Sequence, residues 1–370
     1  MNEMATVLNS MRDPMGVPFY PWMFQGLMVL TFALHIIFVN LVVGGASLAM
    51  YGHLKGEPNW KRLSATLARA STVNLSLAIV LGVAPLLFVQ VIYDPFWYFS
   101  NVLSGWWAMG FLLFICIAFL SLYVFYLKRG ETIEGYGFFG AIALAMLLLT
   151  AITISALTVQ SLHPEKWNSW YLVGKQMNTA GTGLHALNLP RLLHFIVPSF
   201  AITGIFMMLY SWYFEPRRDF DPVYLEWVGK AGAKLALYAT LLQAVVGVWW
   251  LLTLPKDLEF LTNPAFLGGA ALGIVTLFIL MMAQKNPQKQ AIPAALVAFL
   301  AVLGMSITRE VLRMSYLEKF NYSIYTYKLN LDWGSTALFF ATFVMGLLVI
   351  SYPIIIAFKL GRGVDVTGGE

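Results

Sequence analysis

The sequence predicts an all-α protein, a polytopic membrane helix bundle of about nine transmembrane helices with its N-terminus outside and its C-terminus cytoplasmic. Three observations predict it. Of 370 residues, 59% are apolar and only 11% charged, where an ordinary soluble domain is about 25% charged. Nine apolar runs reach the length of about 18 residues or more that a hydrocarbon core demands. With the N-terminus outside, 14 Lys and Arg residues fall on cytoplasmic segments and 9 on outer ones, 23 in all, which is the sense of the positive-inside bias.

The expected spans lie near 24–51, 73–93, 105–127, 137–160, 192–213, 235–254, 265–283, 291–311 and 335–358. The connections carry the breakers, among them GEPNW, YDPFW, KRGE, HPEKW, EPRRDFDP, LPKD and KNPQKQ. Aromatic clusters such as Phe96-Trp97-Tyr98 and Trp249-Trp250 fall near span ends, as interfacial belts should. The segment up to Pro21 has Asp13, Pro14 and Pro18 but no basic stretch leading into an apolar core. It is expected to lie along the interface rather than to be a cleaved signal. No internal repeat is visible, so residues 1–370 read as a single integral-membrane domain. The lone Cys116 excludes an internal disulfide, covalent CxxCH haem attachment, a thiolate iron–sulfur cluster and a zinc finger. No nucleic-acid partner is expected; the solvent is the lipid bilayer.

An unpartnered polar side chain in hydrocarbon costs several kcal/mol, so the polar residues inside spans point to function. Of five histidines, His53 sits at the inner end of the first span, and His163 and His185 belong to the long connection 161–191. His35, in TFALHIIFVNLVVGG, and His194, in LLHFIVPSF, lie within spans, each in the outer half. Arg309, Glu310 and Arg313 of SITREVLRMSY occupy the same layer, with Arg191 one turn before His194. Histidines flanked by arginines inside an apolar bundle suit haem b. Imidazole is a strong axial ligand for iron, and guanidinium forks match the two propionates. Gly44, Gly45 and Gly204 would let the macrocycle lie close to a helix backbone. The plainer accounts are packed histidines bonded to carbonyls, a structural Glu310–Arg313 pair, and Asn40 and Gln243 bridging helices.

These residues resemble subunit I of the cytochrome bd quinol oxidases, a nine-span family. FALHIIFVNLVVGG is similar to that family's first span around a haem-ligand histidine, which places His35 on the ligand. LLHFIVPSFAITGIFMMLYSWYF looks like its fifth span, which opens on the low-spin haem ligand, here His194. REVLR supplies the glutamate and arginine that close its eighth span near the high-spin haem, here Glu310 and Arg313. LGVAPLLFVQ and LTVQSLHPEKW are also similar to family segments. The resemblance covers spans one to five and eight to nine. It implies haem b, quinol as substrate, other membrane subunits and a prokaryotic cytoplasmic (inner) membrane. The departures are specific: SGWWAMGFLLFICIAFLSLYVFYLK has no carboxylate, AFLGGAALGIV no methionine, and the quinol-binding insertion shrinks to TLPKDLEFLTNP.

The expected function is therefore a haem b subunit of a respiratory complex that exchanges electrons between quinol or quinone and a partner redox protein. That partner is a c-type cytochrome or another cofactor-bearing subunit at the outer face. Glu310 is the candidate catalytic base, with His185 and His163 as loop alternatives. His35 and His194 are the candidate iron ligands, either paired on one haem or holding separate haems, and a loop histidine such as His185 could complete a site. Arg191, Arg309 and Arg313 are the propionate partners. The alternatives are a divergent oxidase that reduces dioxygen, and a transporter or non-redox anchor.

Overall fold

The computed structural model describes residues 2–127, 136–174 and 176–363. Its helices are α1 (Asn2–Ser10), α2 (Pro21–Lys55), α3 (Pro58–Ile92), α4 (Asp94–Leu103), α5 (Gly105–Leu127), α6 (Gly137–Gln160), α7 (Pro164–Tyr171), α8 (Leu189–Ile196), α9 (Pro198–Phe214), α10 (Pro222–Leu252), α11 (Pro264–Ala283), α12 (Pro287–Glu318) and α13 (Trp333–Gly363). Nine segments among the described residues are long and apolar enough to cross a membrane, with α8 and α9 forming one of them. Lys128, Arg129 and Lys175, counted in the charge bias, lie outside the described residues.

Each expected span is present, but several helices run well beyond their apolar stretch. α3 starts at Pro58, where the hydrophobic run starts only at about residue 73. The residues between, PNWKRLSATLARAST, are amphipathic and bury Leu63, Leu67 and Ala68. At 1.5 Å per residue the 35-residue α3 is about 52 Å long, past the roughly 30 Å of a hydrocarbon core. Proline repeatedly sets the starts: α2, α3, α10, α11 and α12 all begin on one, where the missing N–H costs nothing and the fixed φ is already helical. Asp221, Asn263 and Asn286 add side-chain caps at α10, α11 and α12.

Small residues bring the helices together. A Cβ on Gly204 of α9 would sit 2.5 Å from the Gly232 carbonyl oxygen and 2.6 Å from the Ala236 nitrogen of α10. Gly44 of α2 faces Ser199 and Thr203 of α9, and Gly45 faces Ser71 of α3. These glycines, expected to receive a macrocycle, instead seat helix on helix. In lipid there is little hydrophobic drive between helices, so close backbone approach is what holds them.

The loop-rich end of the bundle collects α1, α4, α7, the hairpin Leu172–Val173/Gln176–Met177 and the 319–332 segment. There Asp94 is buried and accepts hydrogen bonds from the Tyr327 hydroxyl and, at 2.9 Å, from the Asp13 N–H. Tyr327 and Tyr322 share a hydroxyl contact of 2.6 Å, and the Arg12 guanidinium lies over both rings at 4.4 and 4.1 Å. α13 is different: none of its residues is buried. It is fastened near its ends, by Phe19 on Trp333 at one end and by Tyr213 and Arg217 bonding the Phe358 and Gly361 carbonyls at the other.

Candidate functional site

A cavity of about 460 Å³ opens between α2, α8–α9, α10, α11 and α12, a size that suits a ligand or cofactor. Its wall is mostly apolar, interrupted by His194, Gln243, Asn40, Ser306, Arg309 and the hydroxyl residues Thr240, Thr276 and Thr308. Next to it lies a small pocket of about 40 Å³ lined by Arg191, Arg309, Arg313, His163 and Tyr316. Arg309, Trp250, Leu254 and Leu312 belong to both walls, so the cationic pocket adjoins the apolar cavity.

His194 is held by a break in its own span. Pro198 has no N–H to give to the carbonyl four residues back, which is that of His194. Gln243 of α10 supplies the missing donor: its Nε2 donates to the His194 carbonyl at 2.8 Å and lies 3.0 Å from His194 Nδ1. A Cβ on Gly247 would sit 3.0 Å from His194 Cε1. With Cε1 and Nδ1 turned against α10, the Nε2 edge is the one left for the cavity. Trp250 packs on the imidazole, with ring centroids 5.2 Å apart.

His35 faces another way. Its Nδ1 is 2.8 Å from the Ala78 carbonyl oxygen of α3, and that acceptor can only take a hydrogen bond, so the proton sits on Nδ1 and Nε2 keeps its lone pair. Gly82 gives the ring its room. His35 is not among the residues lining the cavity. The Phe32 ring stands near both His35 and Phe195, at 6.4 Å from each. His185 is also elsewhere, stacked on Trp170 at 5.5 Å in the long connection. His163, by contrast, lines the arginine pocket, 2.9 Å from Glu165 and edge-on to Tyr316.

The charges in this layer do not balance. Arg191 and Arg313 are buried, and Arg191 Nη1 has no hydrogen-bond partner. Arg309 lies over the Phe32 ring at 4.0 Å and Arg313 over Tyr93 at 4.7 Å. Among the described residues, Glu310 is the one carboxylate paired with any of the three, its Oε2 lying 3.5 Å from Arg313 Nη1. Its other oxygen accepts from the Tyr93 hydroxyl at 2.5 Å and from Gln25 Nε2 at 3.3 Å. Gln25 in turn accepts from the exposed Tyr325 hydroxyl at 2.6 Å. Three guanidiniums against one carboxylate leave a cationic site in a low-dielectric surround, suited to an anion.

Sequence reasoning selected the three arginines, Glu310 and His194, which this region holds close together. It missed Met305, which lines the cavity one turn from Arg309 on α12; it had Gln243 as a helix-bridging amide, and the bridge runs to His194 beside the Pro198 break. The signal for Gln243 was present, as a lone amide in an apolar span; Met305 gave none, being one of 17 methionines.

No protein-family model matches the sequence, and no curated protein matches it. Among solved structures the chain is similar to the bd oxidase from Geobacillus thermodenitrificans, with a TM-score of 0.65 and 10% sequence identity over 92% of this chain and 98% of that one. The chain thus has a bd-oxidase-like fold and is a multi-pass membrane protein of nine apolar, spanning-length segments.

Proposed function

We propose that this chain is a haem b-containing membrane subunit, related to subunit I of the bd oxidases, that passes electrons from quinol to a partner redox protein. One observation carries the reading: an apolar cavity lined by an imidazole and a thioether adjoins three arginines that have a single carboxylate between them. The donor set fits the group. His194 would hold the iron through Nε2 once the ring proton, which the Gln243 donor keeps on Nε2, moves to Nδ1 and Gln243 turns from it, with the Met305 sulfur as the candidate second ligand, since these are the strong and the soft iron donors in the wall. Arg191, Arg309 and Arg313 would take the two propionates, and the unpartnered Arg191 Nη1 is the donor still waiting for an acceptor. His35, its Nδ1–H fixed on the Ala78 carbonyl, has the arrangement in which histidines ligate metals. It is the candidate ligand of a second haem.

Bound haem b supplies a one-electron centre. Quinol oxidation yields quinone, two protons and two electrons, so the chain must pass the electrons on singly and hold a base. Glu310 is that base in this reading. Its carboxylate takes a proton at Oε2, and Gln25 and Tyr325 tie its Oε1 to the loop-rich end. The same end, expected to be periplasmic in a prokaryotic cytoplasmic membrane, would dock the partner, a c-type cytochrome or another cofactor-bearing subunit. A dioxygen-reducing oxidase is the second reading, favoured by the near-complete coverage of a bd oxidase fold. Against it, α5 contains no carboxylate to feed protons to oxygen.

The test is a reduced-minus-oxidised spectrum of the purified protein, with and without carbon monoxide, compared with His194→Ala. A b-type signal indifferent to carbon monoxide and diminished by His194→Ala supports the electron-carrier reading. A signal shifted by carbon monoxide selects the oxidase. A protein without haem refutes both.

A further inference from the structure

Gln243 sits where the proline break, the cavity wall and the His194 ring meet. Its planar amide carries a donor and an acceptor on one carbon, and a half-turn about a single bond exchanges them. In the haem-free chain only the donor is used. Nε2 donates to the His194 carbonyl at 2.8 Å and lies 3.0 Å from His194 Nδ1. Oε1 is buried without a hydrogen-bond partner, a costly position for an acceptor. With a donor on Nδ1, the proton of the neutral imidazole stays on Nε2, the edge left for the cavity.

An occupant coordinated through Nε2 needs that proton on Nδ1, and Nδ1–H then needs an acceptor. The ring has little room to turn and find one. It lies so close to Gly247 that a Cβ there would come within 3.0 Å of Cε1 and 3.3 Å of Nδ1, and Trp250 packs on it at 5.2 Å. The amide has one to offer, since a half-turn brings Oε1 to the place of Nε2. The same turn takes the donor from the His194 carbonyl, and Pro198 has no N–H to replace it.

We propose that Gln243 is a positioning residue that turns over when a metalloporphyrin binds His194, its Oε1 taking the Nδ1 proton and its Nε2 releasing the His194 carbonyl. The ring stays neutral and keeps one proton: it leaves Nε2 as the metal–nitrogen bond forms and rejoins the ring at Nδ1. The acceptor then steadies the ring as a ligand, as the partners of ligating histidines do. The amide thereby makes the site selective for porphyrin that carries a metal. A metal-free porphyrin fills the same space but takes no lone pair from Nε2, so nothing turns the amide. The proposal rests on the reading that haem occupies the cavity, and its test separates the two.

The experiments use full-length protein produced without haem, with zinc protoporphyrin and metal-free protoporphyrin as probes. His194–Phe195 is the one His-Phe pair in the sequence. Carbon-13 at histidine carbonyls combined with nitrogen-15 phenylalanine therefore isolates the His194 carbonyl in an NMR spectrum. Zinc protoporphyrin should move that resonance in the direction of a lost hydrogen bond, well beyond the ring-current shift that the metal-free probe produces. In Gln243→Leu, which has no donor to lose, the two probes should move it alike. The same variant should bind zinc protoporphyrin at least about tenfold more weakly and metal-free protoporphyrin as tightly as wild type; a role in packing alone would weaken both equally. If the two probes move the wild-type carbonyl alike, or the variant loses both equally, the proposal is overturned while the haem reading stands. If neither probe binds wild-type protein, the haem reading falls and takes the proposal with it.

Discussion

Replacing Glu310 with glutamine tests how the buried charges are balanced. The carboxylate lies 3.5 Å from Arg313 Nη1, an attraction of about 5 kcal/mol at an effective dielectric near 20. Glutamine keeps the shape and an acceptor for the Tyr93 hydroxyl but removes the charge, leaving Arg191, Arg309 and Arg313 without a carboxylate. Removing one partner of a buried pair costs about 3–5 kcal/mol. Glu310→Gln should therefore lower stability by that amount in haem-free protein. Tyr93→Phe, which deletes one hydrogen bond to a charged acceptor, should cost less, about 1.5–3 kcal/mol. In haem-loaded protein the Glu310→Gln loss should shrink, because two propionates then share the guanidiniums. The assay is thermal unfolding of detergent-solubilised protein, followed by near-UV circular dichroism, with the five samples run together: wild type and Glu310→Gln with and without haem, and haem-free Tyr93→Phe. A Glu310→Gln protein as stable as wild type without haem would refute the reasoning, since the arginines would then not depend on this carboxylate.

Other consequences are equally direct. His194→Ala should remove a b-type signal while leaving the helical content unchanged, whereas a merely packed histidine would leave the spectrum intact. Gly204→Ala drives a methyl into the Gly232 carbonyl and the Ala236 nitrogen. Overpacking of this kind costs about 1–3 kcal/mol, read as a lowered unfolding midpoint, and an unchanged midpoint would mean that α9 and α10 can part freely. Burial raises the Asp94 carboxyl above its usual range, despite hydrogen bonds from Tyr327 and Asp13 and the nearby Arg12. The folded state thus keeps the Asp94 proton to higher pH than the unfolded chain. Its contribution is full below the unfolded value of about 3.9 and is lost as pH rises through the folded one. Hydrogen exchange in 319–332, corrected for its intrinsic rate, should show protection falling over that interval, and Asp94→Asn should flatten the slope.

The spans were legible because hydropathy reports what hydrocarbon tolerates; their ends were not, since 58–72 is amphipathic and continues α3 by packing Leu63 and Leu67 rather than by being apolar. The arginines, Glu310 and His194 were legible because a buried charge is rare enough to be seen singly. The cavity was not, because it is a gap among helices distant in sequence, and a gap has no residue of its own. The roles of Gly44, Gly45 and Gly204 were misread for a related reason: a small residue says that something comes close, not what. Here it is Ser199, Ser71 and Gly232.

The proline break at 197–198 has an implication for cofactor loading. A histidine on an unbroken helix holds only its backbone rigidly, and ligating iron then freezes its ring at an entropic cost. Pro198 leaves the His194 carbonyl free for Gln243, and the same amide touches the ring. One side chain on a neighbouring helix thus fixes both ends of the residue before any ligand arrives. The rotational freedom is surrendered during folding, so an arriving cofactor finds the ring already aimed, and what binding must still change is the proton that the Gln243 donor leaves on Nε2. Pro198→Ala would restore the backbone donor, release Gln243, and turn a prepaid orientation into one that every binding event must re-establish.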